Sequence, residues 1–191
     1  WAFFKSKGYS EAATAGIMGN LMVESSLNPA RHQIKGPAKG IAQWESGRFD
    51  NLVKFAKARG KSWTDLYTQL EFIDKETNGL GIYFSKQGTS LSGFKSMEDP
   101  AKAAEVFEKA FERASKSNMD ARKKYAQLFY KKYTGKDYST SLSLASLTST
   151  GSDTTTDSST TTTATSGATT DSSTTTTGTS GLGVLAAITS A

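Results

Sequence analysis

The composition of this chain breaks after Tyr138, and the break confines any compact fold to what precedes it. From Ser139 onward Ser, Thr, Gly and Ala dominate, with no Lys or Arg and with Asp153, Asp157 and Asp171 as the only charges. Such a stretch has too little apolar surface to offset its ordering entropy, so a disordered Ser/Thr-rich tail is expected. Its middle is a tandem duplication, in which TTDSSTTTTATSG at residues 155–167 recurs as TTDSSTTTTGTSG at residues 169–181. That pattern reads as duplicated linker, not as a structural repeat. Residues 182–191 (LGVLAAITSA) turn apolar again. They are too short for a membrane span, which takes about 20 residues, and are expected to begin a further domain. Trp1 already lies within an amphipathic pattern, with no initiator Met or signal peptide before it, so the chain reads as a fragment cut at both ends. The expected organisation is one domain over residues 1–138, a linker over 139–181 and an unassigned apolar end over 182–191.

The first part has the length of an ordinary single domain, for which roughly 100–150 residues are usual. All 23 basic residues precede Ser139 while three of the 18 acidic residues follow Tyr138, so the folding part carries about +8. With a pI near 9.3 it suits acidic partners. Nucleic acid is one such partner, and the teichoic-acid-bearing bacterial wall is another. The basic residues are spread over several expected helices, with no helix-turn-helix or RNA-binding motif, so a nucleic-acid partner is not expected.

Cysteine is absent and His32 is the single histidine. Disulfides, thiol nucleophiles and Cys-based metal sites are therefore excluded. Zinc hydrolase chemistry, which normally needs two or three imidazoles, is nearly so, and no metal or cofactor is expected. A Ser-His-Asp triad would have one possible base. The open route to enzyme chemistry runs through carboxylates.

Hydrophobic periodicity predicts a mainly α domain. Ser10 is a helix cap with Glu11 in the first turn, and the helix is expected to stop near Ser25 or Ser26, before Asn28-Pro29. Its small residues (Ala12, Ala13, Ala15, Gly16, Gly19) would let another helix approach closely. From Ala30 to Trp44 there is no helical period, and a loop or small β-hairpin is expected. Phe49, Leu52, Val53 and Ala56 mark a second stripe, closed by Gly60. Ser62 with Asp65 resembles a capping box for a third helix with Leu66, Leu70 and Ile73 inward. Residues 80–97 are irregular apart from a short helix around 91–95. Asp99-Pro100 caps a helix burying Ala103, Ala104, Phe107, Phe111 and Ala114. A last helix from Asn118 to Gly135 turns Tyr125, Leu128, Phe129 and Tyr133 inward.

Glu24 stands where position and chemistry meet. It continues the apolar face Ala13–Ile17–Leu21 into the last turn of the first long helix. Partial burial there disfavours a carboxylate, and so does the negative end of the helix dipole. Both favour the neutral acid that a proton donor to a glycosidic oxygen must be. A glutamate at that place can equally be structural, bonded to nearby amides or to an arginine.

The segment Gly16-Ile17-Met18-Gly19-Asn20-Leu21-Met22-Val23-Glu24-Ser25-Ser26-Leu27-Asn28-Pro29, followed by Gly40-Ile41-Ala42-Gln43-Trp44, closely resembles the phage tail lysozyme family. That family is related to goose-type lysozymes and soluble lytic transglycosylases. The likeness continues in residues 61–66 and 69–73, in Phe111-Glu112-Arg113-Ala114 and in residues 122–126, and so covers almost all of 1–134. It implies a lysozyme-like fold with a loop or hairpin beside a cleft, and cleavage between N-acetylmuramic acid and N-acetylglucosamine. Glu24 matches the family's catalytic glutamate, and Gln43 matches the glutamine lining the sugar cleft. The stretch at 30–39 departs from the family pattern, having Lys35-Gly36-Pro37-Ala38-Lys39 before the glutamine segment.

Several further residues enter as candidates. Glu45 and Asp50 are candidate second carboxylates, although helix capping explains Asp50 equally well. The carboxyl separation would distinguish retention from inversion. Relatives that work with one glutamate leave hydrolysis and lytic transglycosylation both open. Trp44 is a candidate to stack on a sugar or else to anchor the core. Tyr125 is a candidate contact that reads first as core. Arg48 and His32 read as solvent-facing, and Glu112 and Arg113 as a salt-bridged surface or the far side of the cleft. The implied protein is an extracellular wall-degrading module, virion tail-associated or secreted, whose partner is bacterial peptidoglycan. The competing reading is a non-catalytic glycan-binding module of the same fold.

Overall fold

The computed structural model describes residues 1–113 and 117–138. Ala114, the tandem repeat and the apolar end named above lie outside the described residues. The elements are α1 (Ala2–Ser6), α2 (Glu11–Ser25), α3 (Ser46–Lys57), α4 (Leu66–Asn78), α5 (Gly81–Ser85), α6 (Leu91–Lys95) and α7 (Pro100–Phe107). A π-helical turn (Glu108–Glu112) and α8 (Met119–Thr134) complete the described chain. The fold is mainly α, as expected.

The centre is α2. Ser10 caps it by accepting from the Ala13 N–H, and every residue from Ala12 to Leu21 is buried. A helix apolar or small on all sides has to be enclosed, and here α7 and α8 enclose it. Glycine permits this. A Cβ at Gly16 would lie 2.7 Å from the Ala103 backbone, and one at Gly19 would lie 2.5 Å from the Arg122 carbonyl oxygen. The helices therefore meet at backbone distance, the close approach that the small residues implied.

Asp99 accepts from the Ala101 and Lys102 amides, with Pro100 at the first helical position of α7. Phe84, Phe94, Phe107 and Phe111 then stack in series, with successive ring centroids 4.8, 5.9 and 4.6 Å apart. This column joins α5, α6, α7 and the π turn into one core.

Two expectations are corrected. The cap of α4 is Asp65, which accepts from the Thr68 amide, and not Ser62. The later start turns Gln69, Phe72 and Ile73 inward and leaves Leu66 exposed. Val53, Leu128 and Tyr133 are also exposed, since α3 and α8 each bury a narrower stripe than their apolar content suggested. Of the loop or small hairpin expected from Ala30 to Trp44, the structure forms the loop. It is pinned by two isolated antiparallel bridges, His32 to Lys39 and Lys39 to Trp44.

Candidate active site

The C-terminal turn of α2 projects Glu24 into a cleft of about 800 Å³. Facing it are Gln33, Ala38 and Gln43 from the loop, Glu45 and Arg48 at the start of α3, and Glu112, Arg113 and Arg122. Local geometry explains how two distant stretches meet. After Ser25 the chain leaves α2 through Ser26 and Leu27, both left-handed at φ 57° and 61°. The Ser25 hydroxyl donates to the Ile41 carbonyl oxygen at 2.7 Å. Buried Gln69 completes the clamp, donating to the carbonyls of Pro29 (2.8 Å) and Trp63 (2.6 Å) and accepting from the Ile41 amide (2.7 Å). One side-chain amide thus holds the strand leaving Glu24 and the strand entering Gln43.

Gln43 has φ 47°, and its Nε2 donates to the Gly40 carbonyl oxygen at 2.8 Å. Ser46 and Arg113, both near this cleft, are also left-handed. Each non-glycine residue in that region costs roughly 1 kcal/mol or more, and such positions gather where a surface must be shaped for a ligand.

The Glu24 carboxylate has a direct cationic partner. Arg122, 3% exposed in its side chain, donates from Nη2 to Glu24 Oε1 at 2.5 Å. Its Nη1 donates to Asn20 Oδ1 at 2.9 Å, and Asn20 Nδ2 in turn donates to the Gly16 and Ala104 carbonyls. A chain of polar contacts therefore runs from the α2–α7 contact to the cleft.

Of the two places the sequence allowed Glu112, a salt-bridged surface or the far side of the cleft, it takes the cleft. Its Oε1 is fully covered and finds no hydrogen-bond partner among the described residues, and neither does Arg122 Nε. Burial first, and then the nearby Glu24 charge, push the Glu112 carboxyl well above the usual carboxylate range, against the pull of the Arg48 and Arg122 guanidinium groups. The π-helical turn sets its direction, and wide turns of this kind recur at functional sites.

Of the candidates from sequence, Glu24, Gln43 and Glu45 share the cleft. Asp50 is exposed on α3 and is not part of the cleft wall. Trp44 is revised from sugar contact to core. It is 1% exposed, packs on Phe72, and donates from Nε1 to Glu76 at 2.8 Å. Tyr125 is likewise outside the cleft, packed on the small cluster of Ala15, Met18 and Phe129. Arg48 does not simply face solvent. It forms a two-pronged pair with Glu76 (3.0 and 2.9 Å) and covers the Phe111 ring at 4.7 Å. His32 is exposed, edge-on to Trp63.

Arg122 escaped the sequence reading because a charged residue on a polar helix is normally solvated. The available signal was Asn20, one turn before Glu24 on a buried face and in need of a polar partner.

The sequence model of the family described as phage tail lysozyme matches residues 1–133, nearly the whole described domain. The chain belongs to the phage tail lysozyme family. Morphogenesis protein 1 of Bacillus phage B103 is 26% identical over 145 residues, covering 73% of this chain and 39% of that protein. The chain thus spans about two fifths of this curated relative. Among the described residues no helix is long and apolar enough to cross a membrane.

Proposed function

We propose that this domain cleaves the glycan strand of bacterial peptidoglycan, with Glu24 as the general acid. The observation that carries the reading is the meeting of Glu24 and Gln43 across one cleft, in a chain of the phage tail lysozyme family. Glu24 protonates the glycosidic oxygen as the bond to the anomeric carbon breaks, and an oxocarbenium-like charge builds on the sugar. The carboxylate left behind stabilises that charge and then accepts a proton from the attacking hydroxyl. Water as attacker gives hydrolysis, and the sugar's own hydroxyl gives lytic transglycosylation. Gln43, held by Gly40, offers its remaining amide hydrogen-bonding capacity to the sugar.

The described domain acts as one module of a longer extracellular protein, tail-associated or secreted, with the Ser/Thr-rich segment as linker. The basic domain is drawn to the anionic wall.

Clearing of purified cell walls by wild type and Glu24→Gln tests the assignment. General-acid loss typically lowers the rate about 10²–10⁴-fold. An undiminished rate in the Gln variant would overturn Glu24 as the acid, and binding without cleavage by the wild type would favour the glycan-binding alternative. Mass spectrometry of the released fragments separates the two reactions, since anhydro-sugar ends are lighter by one water.

A further inference from the structure

Besides Glu24 the cleft holds two more glutamates, Glu45 and Glu112, and Glu112 is the covered one. We propose that Glu112 is a positioning residue for Glu24, the second carboxyl group of a trio in which both acids face the Arg122 guanidinium. The inference rests on Glu24 being the general acid.

Three observations converge on it. Glu112 lines the same cleft as Glu24. Among the described residues its Oε1 is fully covered and unpartnered, as is Arg122 Nε, and a native fold rarely leaves a buried acceptor and a buried donor of one neighbourhood both unsatisfied. The π turn, and the left-handed Arg113 after it, aim this carboxyl inward. The charged groups around it are Glu24 from α2, Arg48 from α3, Glu76 from α4 and Arg122 from α8, and Glu76 is already engaged by Arg48.

The trio answers a difficulty in the Glu24 assignment. Glu24 is paired with Arg122, and a general acid must carry a proton to act. Around Glu112 three carboxyl groups, its own and those of Glu24 and Glu76, meet two guanidinium groups, Arg48 and Arg122, and with Glu76 paired to Arg48 the other two carboxyls hold one proton between them. The proton rests on Glu112 or on Glu24, and the form with it on Glu24 is the reactive one. When it passes to the glycosidic oxygen, both carboxyls are briefly ionised. That state is a stronger base than one carboxylate, and it recovers a proton from the attacking hydroxyl.

The test is the pH dependence of wall clearing by the full chain, for wild type, Glu112→Gln and Glu24→Gln, with thermal melts as a check of folding. Glu112→Gln keeps volume and neutrality but cannot titrate. The alkaline limb of its profile is expected to move to lower pH by about one unit or more, which is about tenfold in rate near neutrality. At acid pH, where Glu24 is protonated in both proteins, the rates converge. A loss of the same size at every pH, or an unchanged profile, would overturn the inference while Glu24→Gln remained inactive. An active Glu24→Gln would overturn the general-acid reading itself, and the trio with it. Should Glu112→Gln fail to fold, carbon NMR of the wild-type carboxyl groups decides. A Glu112 resonance titrating above the ordinary carboxylate range supports the trio, and one within that range refutes it.

Discussion

Arg122 reaches across from α8 to place its Nη2 2.5 Å from Glu24 Oε1, while its Nη1 binds Asn20 Oδ1 at 2.9 Å. One arginine therefore joins the cleft carboxylate to a fully buried polar side chain of α2. Removing it leaves two polar groups unmatched. Arg122→Met is expected to destabilise the domain by about 2–3 kcal/mol, below the usual cost for a broken buried pair because Glu24 keeps some contact with water. Chemical denaturation measures it. In the double variant with Glu24→Gln the loss should be smaller than the sum of the two single losses, because the residues interact directly.

Gln69 offers a test of the scaffold without touching the cleft. Gln69→Leu keeps the volume but strips partners from the Ile41 amide and from the Pro29 and Trp63 carbonyls. Buried groups left unpaired cost about 1–3 kcal/mol each, so a total near 3 kcal/mol or more is expected. Wall clearing should fall further than stability alone explains, because the Gln43 loop loses its tether to Glu24. A variant with wild-type melting and activity would refute the clamp.

At Gly19 a single methyl group meets backbone on the far side, with the Ala126 nitrogen at 2.7 Å and the Arg122 carbonyl oxygen at 2.5 Å. Gly19→Ala would ordinarily stabilise a helix, but here α8 must retreat. The net loss is expected to be about 1–3 kcal/mol, with reduced activity as Arg122 withdraws from Glu24. Calorimetry and wall clearing read the two effects separately.

Acid stability depends on Glu105 of α7. Hydrogen bonds from Lys109 and Lys123 hold its carboxyl down at about 2, below the ordinary value of 4.5. A depressed folded value adds stability that is present above the unfolded value and lost as pH falls through the folded one. The loss therefore runs from about pH 4.5 to about pH 2. These partners are largely solvated, so screening limits the contribution to about 1 kcal/mol or less. Glu105→Gln should flatten that part of the stability curve and leave neutral pH stability lower by the same amount. An unchanged acid limb would refute the linkage.

Local signals in the sequence were read where chemistry acts locally. Ser10 and Asp99-Pro100 announce helix starts because their caps involve neighbours three residues away or fewer. Gly16 and Gly19 announce close packing because nothing else fits there. The Glu24 and Gln43 segments were visible as a two-part resemblance. What stayed hidden depends on partners far along the chain. Trp44 looked available to a sugar until Glu76 and Phe72 enclosed it. Arg122 carried no assigned role until Asn20 and Glu24, about a hundred residues earlier, gave it a buried one. The Ser62–Asp65 pair was ambiguous because either residue can cap a helix, and the tertiary position of Gln69 selects Asp65.

The π-helical turn at Glu108–Glu112 carries its own consequence. It holds more residues per turn than an α-helix, so it behaves as a local insertion absorbed without a bulge. Each residue of an α-helix advances the side-chain direction by about 100°. Deleting one residue from this turn would let α7 run on in regular register and swing Glu112 by about that angle, out of the cleft. Every side chain used there would still be present in the chain. The carboxyl that shares the cleft with Glu24 is thus written partly in the spacing of the backbone, and a change of length by one residue would erase it.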